Sequence, residues 1–153
     1  MSVPRFSVCK AFTVESGHML SKHPERCRFP HGHSRRIEVV VSSESLNEFD
    51  MVVDFKSLKL AVGEYVERYD HAMAINSRDP LLGELLALHP ESAIVFEGVD
   101  PTTEVIAKDI FNFVDRVLTN GYVGERYQIP AGSVKLEKVR VWETADSWAE
   151  YCD

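Results

Sequence analysis

The sequence predicts an α+β fold: a mostly antiparallel sheet in the order β-β-α-α-β-β, with both long helices on one face. Three observations carry this prediction. Apolar residues alternate near both ends of the chain, the pattern of half-buried strands. Two central segments repeat apolar residues every three to four positions, the pattern of amphipathic helices. The length of 153 residues suits one domain, residues 1–153, large enough to form a core without disulfide staples.

The first strand is expected over Arg5–Val14, where Phe6, Val8, Lys10, Phe12 and Val14 share a side, and Cys9 within it is expected to pack in the core. The second is expected over Arg35–Ser43, with Ile37, Val39 and Val41 on one face and Glu38 and Val40 on the other. The segment between them, which holds four of the six histidines, reads as irregular. Asp54 is placed to cap a helix reaching Tyr69, striped by Phe55, Leu58, Val62 and Val66. A short helix is expected over Pro80–Leu88, stopped before Pro90. Thr102 or Thr103 opens a second long helix to Thr119, with Ile106, Ile110, Phe113 and Val117 as its stripe and Asn120-Gly121 as its stop. Ser133–Thr144 alternates again, and a turn at Ala145-Asp146 leads to a last strand over Ser147–Cys152. Val40, Val139 and Val141 sit awkwardly on a solvated sheet face, so association of subunits through that face is expected.

Seventeen basic against twenty-four acidic residues give a formal charge of −7, which argues against a nucleic-acid binder. The charge is uneven. Lys22, Arg26, Arg28, Arg35 and Arg36 cluster within residues 21–36, whereas residues 79–107 carry six acids and neither Lys nor Arg. A basic patch on an acidic protein suits a small anion. No apolar run reaches membrane-spanning length and the N-terminus lacks the pattern of a signal peptide, so a cytoplasmic protein with reduced Cys9, Cys27 and Cys152 is expected.

The sharpest chemical feature is His31-Gly32-His33. On extended chain, alternate residues point the same way, so both imidazoles can face one ion, and the glycine between them adds no bulk. A third histidine would complete an open, catalytic zinc site; His18 and its rival His23 are the candidates. Cys27, four residues before His31, reads either as a fourth ligand or as a nucleophile or base, since Arg26 and Arg28 beside it favour a thiolate. Asp70-His71 can form an acid/base dyad in which the carboxylate fixes the imidazole tautomer, provided a turn brings the two side chains together. Glu143, at a strand end, can accept two N–H groups from a planar heterocycle, or simply be solvated. Glu104 can serve similarly or only favour a helix N-terminus.

Taken in order, Phe12 through His18, Cys27-Arg28-Phe29-Pro30-His31-Gly32-His33, residues 51–59, Tyr69-Asp70-His71, Pro101-Thr102-Thr103-Glu104 and Trp142-Glu143-Thr144 resemble the 6-pyruvoyl-tetrahydropterin synthase / 6-carboxy-tetrahydropterin synthase family over nearly the whole chain. The resemblance implies a tunnelling (T-) fold whose subunits close into a barrel as trimers, and hexamers made of two trimers, with active sites shared between subunits. It implies Zn2+ held by His18, His31 and His33, a catalytic Cys27 working with Asp70 and His71, a pterin anchored by Glu143, and Glu104 lining the same pocket. The implied substrate is 7,8-dihydroneopterin triphosphate, with the basic stretch from Lys22 to Arg36 as a candidate cradle for the triphosphate. Three residues separate Cys27 from His31, as in the 6-carboxy branch, which serves queuosine and other deazapurines; the 6-pyruvoyl branch, which leads to biopterin, usually has five. The first motif is two residues longer than the family's usual Phe-x-Ala-x-His, and residues 77–100 form a longer, acidic segment. A divergent, non-catalytic paralogue that binds pterin or metal is the alternative from another class.

Overall fold

In a computed structural model describing residues 3–153, the chain forms a six-stranded sheet with its two long helices on one face and a small two-stranded ribbon. Strand β1 (Phe6–His18) runs antiparallel to β2 (His31–Ser43), in unbroken register from Phe6 opposite Ser43 to His18 opposite His31. Both strands reach further than the apolar alternation indicated. The stretch expected to be irregular shrinks to a loop with one 3-10 turn at Arg26–Arg28, and three of its four histidines join the ladder. The alternation continues there in polar residues, which hydropathy does not register.

Helix α1 (Phe55–Glu67) starts where Asp54 accepts the Lys56 amide at 2.7 Å. Next come β3 (Met73–Asn76), α2 (Leu82–Leu88), β4 (Ala93–Phe96) and α3 (Thr103–Asn120). Thr102, rather than Thr103, caps α3 by accepting the Val105 amide at 3.2 Å, and Gly121 ends it at a φ of +84°. The ribbon pairs β5 (Tyr122–Val123) with β6 (Gln128–Ile129), and β7 (Lys135–Thr144) returns to the main sheet beside β8 (Ser147–Tyr151).

The sheet order is β4-β3-β1-β2-β7-β8. β3 and β4 correct the expected element order: β1, β3 and β4 are mutually parallel, so the sheet is mixed. Four-residue strands are too short to display a period, and helix-linked parallel strands need no hairpin signal.

One core lies between the sheet and the helices. Val14, Ile37, Val39, Val41, Val139 and Val141 of the strands meet Leu58, Val62 and Val66 of α1 and Ile106, Ile110 and Val114 of α3. Val139 and Val141 therefore face the helices, not the open side as anticipated. The open side is polar and aromatic: Trp142 donates to Glu38 at 2.8 Å, Arg140 donates to Glu150 at 2.9 Å, and the Arg140 guanidinium lies 3.8 Å over Trp148. Cys9 is on this side opposite Val40 and is exposed, which corrects its expected place in the core. No helix among the described residues is long and apolar enough to cross a membrane.

Candidate metal centre and its surroundings

The β1–β2 ladder builds the site. His18 faces His31, and Ser16 faces His33, so the three histidines continue the buried face of the hairpin past the end of the apolar core. The two extra residues in the first motif amount to one full pleat and leave His18 on that same face. Ring centroids lie 4.5 Å apart for His18–His31, 5.1 Å for His18–His33 and 5.2 Å for His31–His33. One ligand atom from each lies within 4.8 Å of the others; His23 and Cys27 do not join the group. His23 instead accepts the Glu25 amide at 2.9 Å within its loop.

The donor chemistry fits a metal ion. His18 Nδ1 meets the Pro101 carbonyl at 2.8 Å and His31 Nδ1 meets the Phe29 carbonyl at 2.7 Å, so each Nδ1 carries the proton and each Nε2 keeps its lone pair. His33 Nε2 is buried with no hydrogen-bond partner. Burial pushes the His18 pKa down to about 4, helped by the charges of Arg35 and the other two imidazoles and opposed by the Pro101 bond. Burial, and then Arg35, likewise lower that of His33. Both shifts favour the uncharged ring, the form that ligates.

Glu143 follows Val139 and Val141 on the core face of β7, where the register against β8 slips between Trp142 and Thr144. Its Oε1 lies 3.7 Å from Nε2 of both His18 and His33 and accepts the Thr103 hydroxyl at 2.9 Å. Burial raises its pKa, but the Thr103 bond and the pull of the neighbouring imidazoles and Arg35 outweigh this and keep it below the usual range. Glu104 sits exposed on the first turn of α3, next to Thr103.

Arg35 corrects one sequence expectation. It is fully buried beside His18 and Thr103, so it is no part of an exposed anion cradle. Arg36 binds Glu38 at 3.2 Å; Lys22, Arg26 and Arg28 remain exposed on the loop. Sequence reasoning counted Arg35 as surface charge and Thr103 only as a cap, though its position two residues after His33 does place Arg35 on the histidine face.

Asp70 and His71 meet through the turn that adjacency required. His71 takes a left-handed φ of +57°, and its Nδ1 meets Asp70 Oδ2 at 2.8 Å. The other Asp70 oxygen accepts the Glu15 amide at 2.7 Å, and the His71 amide donates to the Glu15 carbonyl at 2.6 Å. The pair is thus tied to β1, yet the His71 side chain is 80% exposed. Cys27 is half-buried in the 3-10 turn, its carbonyl accepting the Leu20 amide at 2.9 Å.

Asp100 secures the loop that carries Pro101. It accepts from Ser21 Oγ at 2.6 Å, the Lys22 amide at 2.8 Å and Asn76 Nδ2 at 2.8 Å. Burial raises its pKa, but these three bonds more than offset that and hold it below the usual range. A depressed carboxyl stabilises the fold above its ordinary pKa, and that stability is lost as pH falls through the folded value. Asp100→Ala is expected to cost about 2–3 kcal/mol at neutral pH. Urea melts should show this cost shrinking as the pH is lowered; a cost that does not change would count against the ionised network.

A mixed sheet with helices packed on it carries three converged histidines that could hold a metal ion. A model of the 6-pyruvoyl tetrahydropterin synthase family matches residues 7–153, and the chain belongs to that family. It is 34% identical to a 6-carboxy-5,6,7,8-tetrahydropterin synthase of Aquifex aeolicus, over 96% of this chain and 98% of the relative. Among solved structures, an uncharacterized protein of Wolinella succinogenes superposes with a TM-score of 0.71 at 23% identity, covering 98% of this chain and 99% of the other. The 6-pyruvoyl tetrahydropterin synthase of Caenorhabditis elegans gives 0.65 at 19% identity, covering 100% and 99%.

Proposed function

We propose that this chain is a 6-carboxy-5,6,7,8-tetrahydropterin synthase: a zinc-dependent lyase converting 7,8-dihydroneopterin triphosphate to 6-carboxy-tetrahydropterin, with release of acetaldehyde and triphosphate. The single observation that carries this is the convergence of His18, His31 and His33 in a chain 34% identical to a relative of that name. The three-residue spacing from Cys27 to His31 favours this branch over the 6-pyruvoyl one.

His18, His31 and His33 would hold the zinc, which when bound supplies a Lewis acid that acidifies the substrate's side-chain hydroxyls. Glu143 would accept N–H groups of the pterin ring, and Glu104 would line the same pocket. Cys27 as thiolate would take a proton from the side chain, and His71, oriented by Asp70, would move protons on the other side. Exposed Lys22, Arg26 and Arg28 would meet the triphosphate. His71 projects outward, which supports an active site shared between subunits of a hexamer. The reading places the enzyme in the cytoplasm, in queuosine or related deazapurine synthesis.

Zinc-loaded protein given 7,8-dihydroneopterin triphosphate should yield 6-carboxy-tetrahydropterin and acetaldehyde by mass spectrometry. 6-Pyruvoyl-tetrahydropterin instead would move the chain to the other branch. No product with zinc bound would favour a non-catalytic paralogue.

A further inference from the structure

Arg35 is the largest fully buried side chain and the only buried cation among the described residues. Burying a guanidinium is costly unless its N–H groups and charge are compensated. Its compensation is partial and indirect. Nη1 donates to Thr103 Oγ1 at 3.0 Å, Nη2 lies nearly equidistant from the two His18 ring nitrogens at 3.2 and 3.4 Å, and Nε has no partner. His18 Nδ1 donates to the Pro101 carbonyl, so the acceptor left to Nη2 on the ring is Nε2, at the longer distance of 3.4 Å.

Thr103 turns this contact into a relay. Its hydroxyl oxygen accepts from Arg35 and its proton goes to Glu143 Oε1 at 2.9 Å. The hydroxyl has one proton, and the guanidinium can only donate, so the direction of the chain is fixed. Every contact found for this carboxylate runs through Oε1, which sits 3.7 Å from Nε2 of His18 and of His33. Oε2 is left without a partner among the described residues.

We propose that Arg35 is a positioning residue for Glu143: through the Thr103 hydroxyl it holds Oε1 beside the imidazoles and leaves Oε2 for a polar ligand. Freed from Thr103, the carboxylate would be able to turn toward a metal held by the three histidines and become a further ligand. The identity of that ligand as a pterin rests on the proposed function; the relay itself does not.

Thr103→Val removes the hydroxyl but keeps the shape, and the α3 cap is Thr102, so this variant should fold. The probe is Co(II) bound to the apo protein, read by its visible absorption, which is sensitive to coordination number. Thr103→Val is expected to shift the band and lower its intensity as Glu143 joins the metal. Thr103→Ser should restore the wild-type spectrum, and Thr103→Val with Glu143→Gln should abolish the change. Arg35→Met should resemble Thr103→Val where it folds. A wild-type spectrum in Thr103→Val overturns the relay, as does a change that persists with Glu143→Gln. The second readout is affinity for 7,8-dihydroneopterin, expected about tenfold weaker in Thr103→Val. Failure of the wild type to bind that pterin would sink the proposed function, while the cobalt spectra would still decide the relay.

Discussion

Replacing His33 with alanine should remove stoichiometric zinc and lower turnover by about a thousandfold or more, equivalent to ~4 kcal/mol of lost transition-state stabilisation. His33 is the informative ligand because its side chain is 19% exposed, whereas that of His18 is fully enclosed. Truncating His18 would open a hole beside Arg35 and confuse loss of metal with loss of fold. At His33 the fold should persist, as circular dichroism and an unchanged urea slope for the apo protein would show. Zinc retained at one per chain after His33→Ala would remove the three-histidine site from the mechanism.

The second large effect is expected at Cys27. Its sulfur stands outside the group of converging ligand atoms, so Cys27→Ala should keep a full complement of zinc while turnover falls by roughly a hundredfold to ten-thousandfold, the range of a lost general base. Elemental analysis and initial rates on one preparation suffice. If zinc leaves with the thiol, Cys27 is a ligand and the proton-transfer scheme fails. The Asp70–His71 pair is tied to Glu15, and among the described residues no hydrogen bond joins it or the Cys27 sulfur to the three histidines. A mixture of His33→Ala and Cys27→Ala proteins that regains activity after subunit exchange would support a site assembled across subunits.

Much of this was legible in residue order. Amphipathic periodicity located α1 and α3, Asp54 and Gly121 marked helix ends, and the alternation in His31-Gly32-His33 placed two imidazoles on one face before any coordinates. The parallel strands β3 and β4 were not legible, because four residues show no period and their partners are distant in sequence. Nor was the setting of Glu143. A strand-end acid reads the same whether solvated or held, and only packing brings Thr103, a first-turn helix residue, to its oxygen. Arg35 was misread for a related reason: charge suggests surface, and burial of a guanidinium is decided by neighbours that sequence does not bring together.

The unbroken β1–β2 ladder makes the hairpin a ruler graduated in steps of two residues. Lengthening or shortening β1 by an even number moves His18 along the scale but keeps it on the scored edge; an odd change turns it to the blank side, where Glu15 and Thr13 now lie. Drift in the length of this strand between relatives would then be quantised. The extra pair in this chain is one such step, and it leaves the tools mounted on the hairpin facing the same bench.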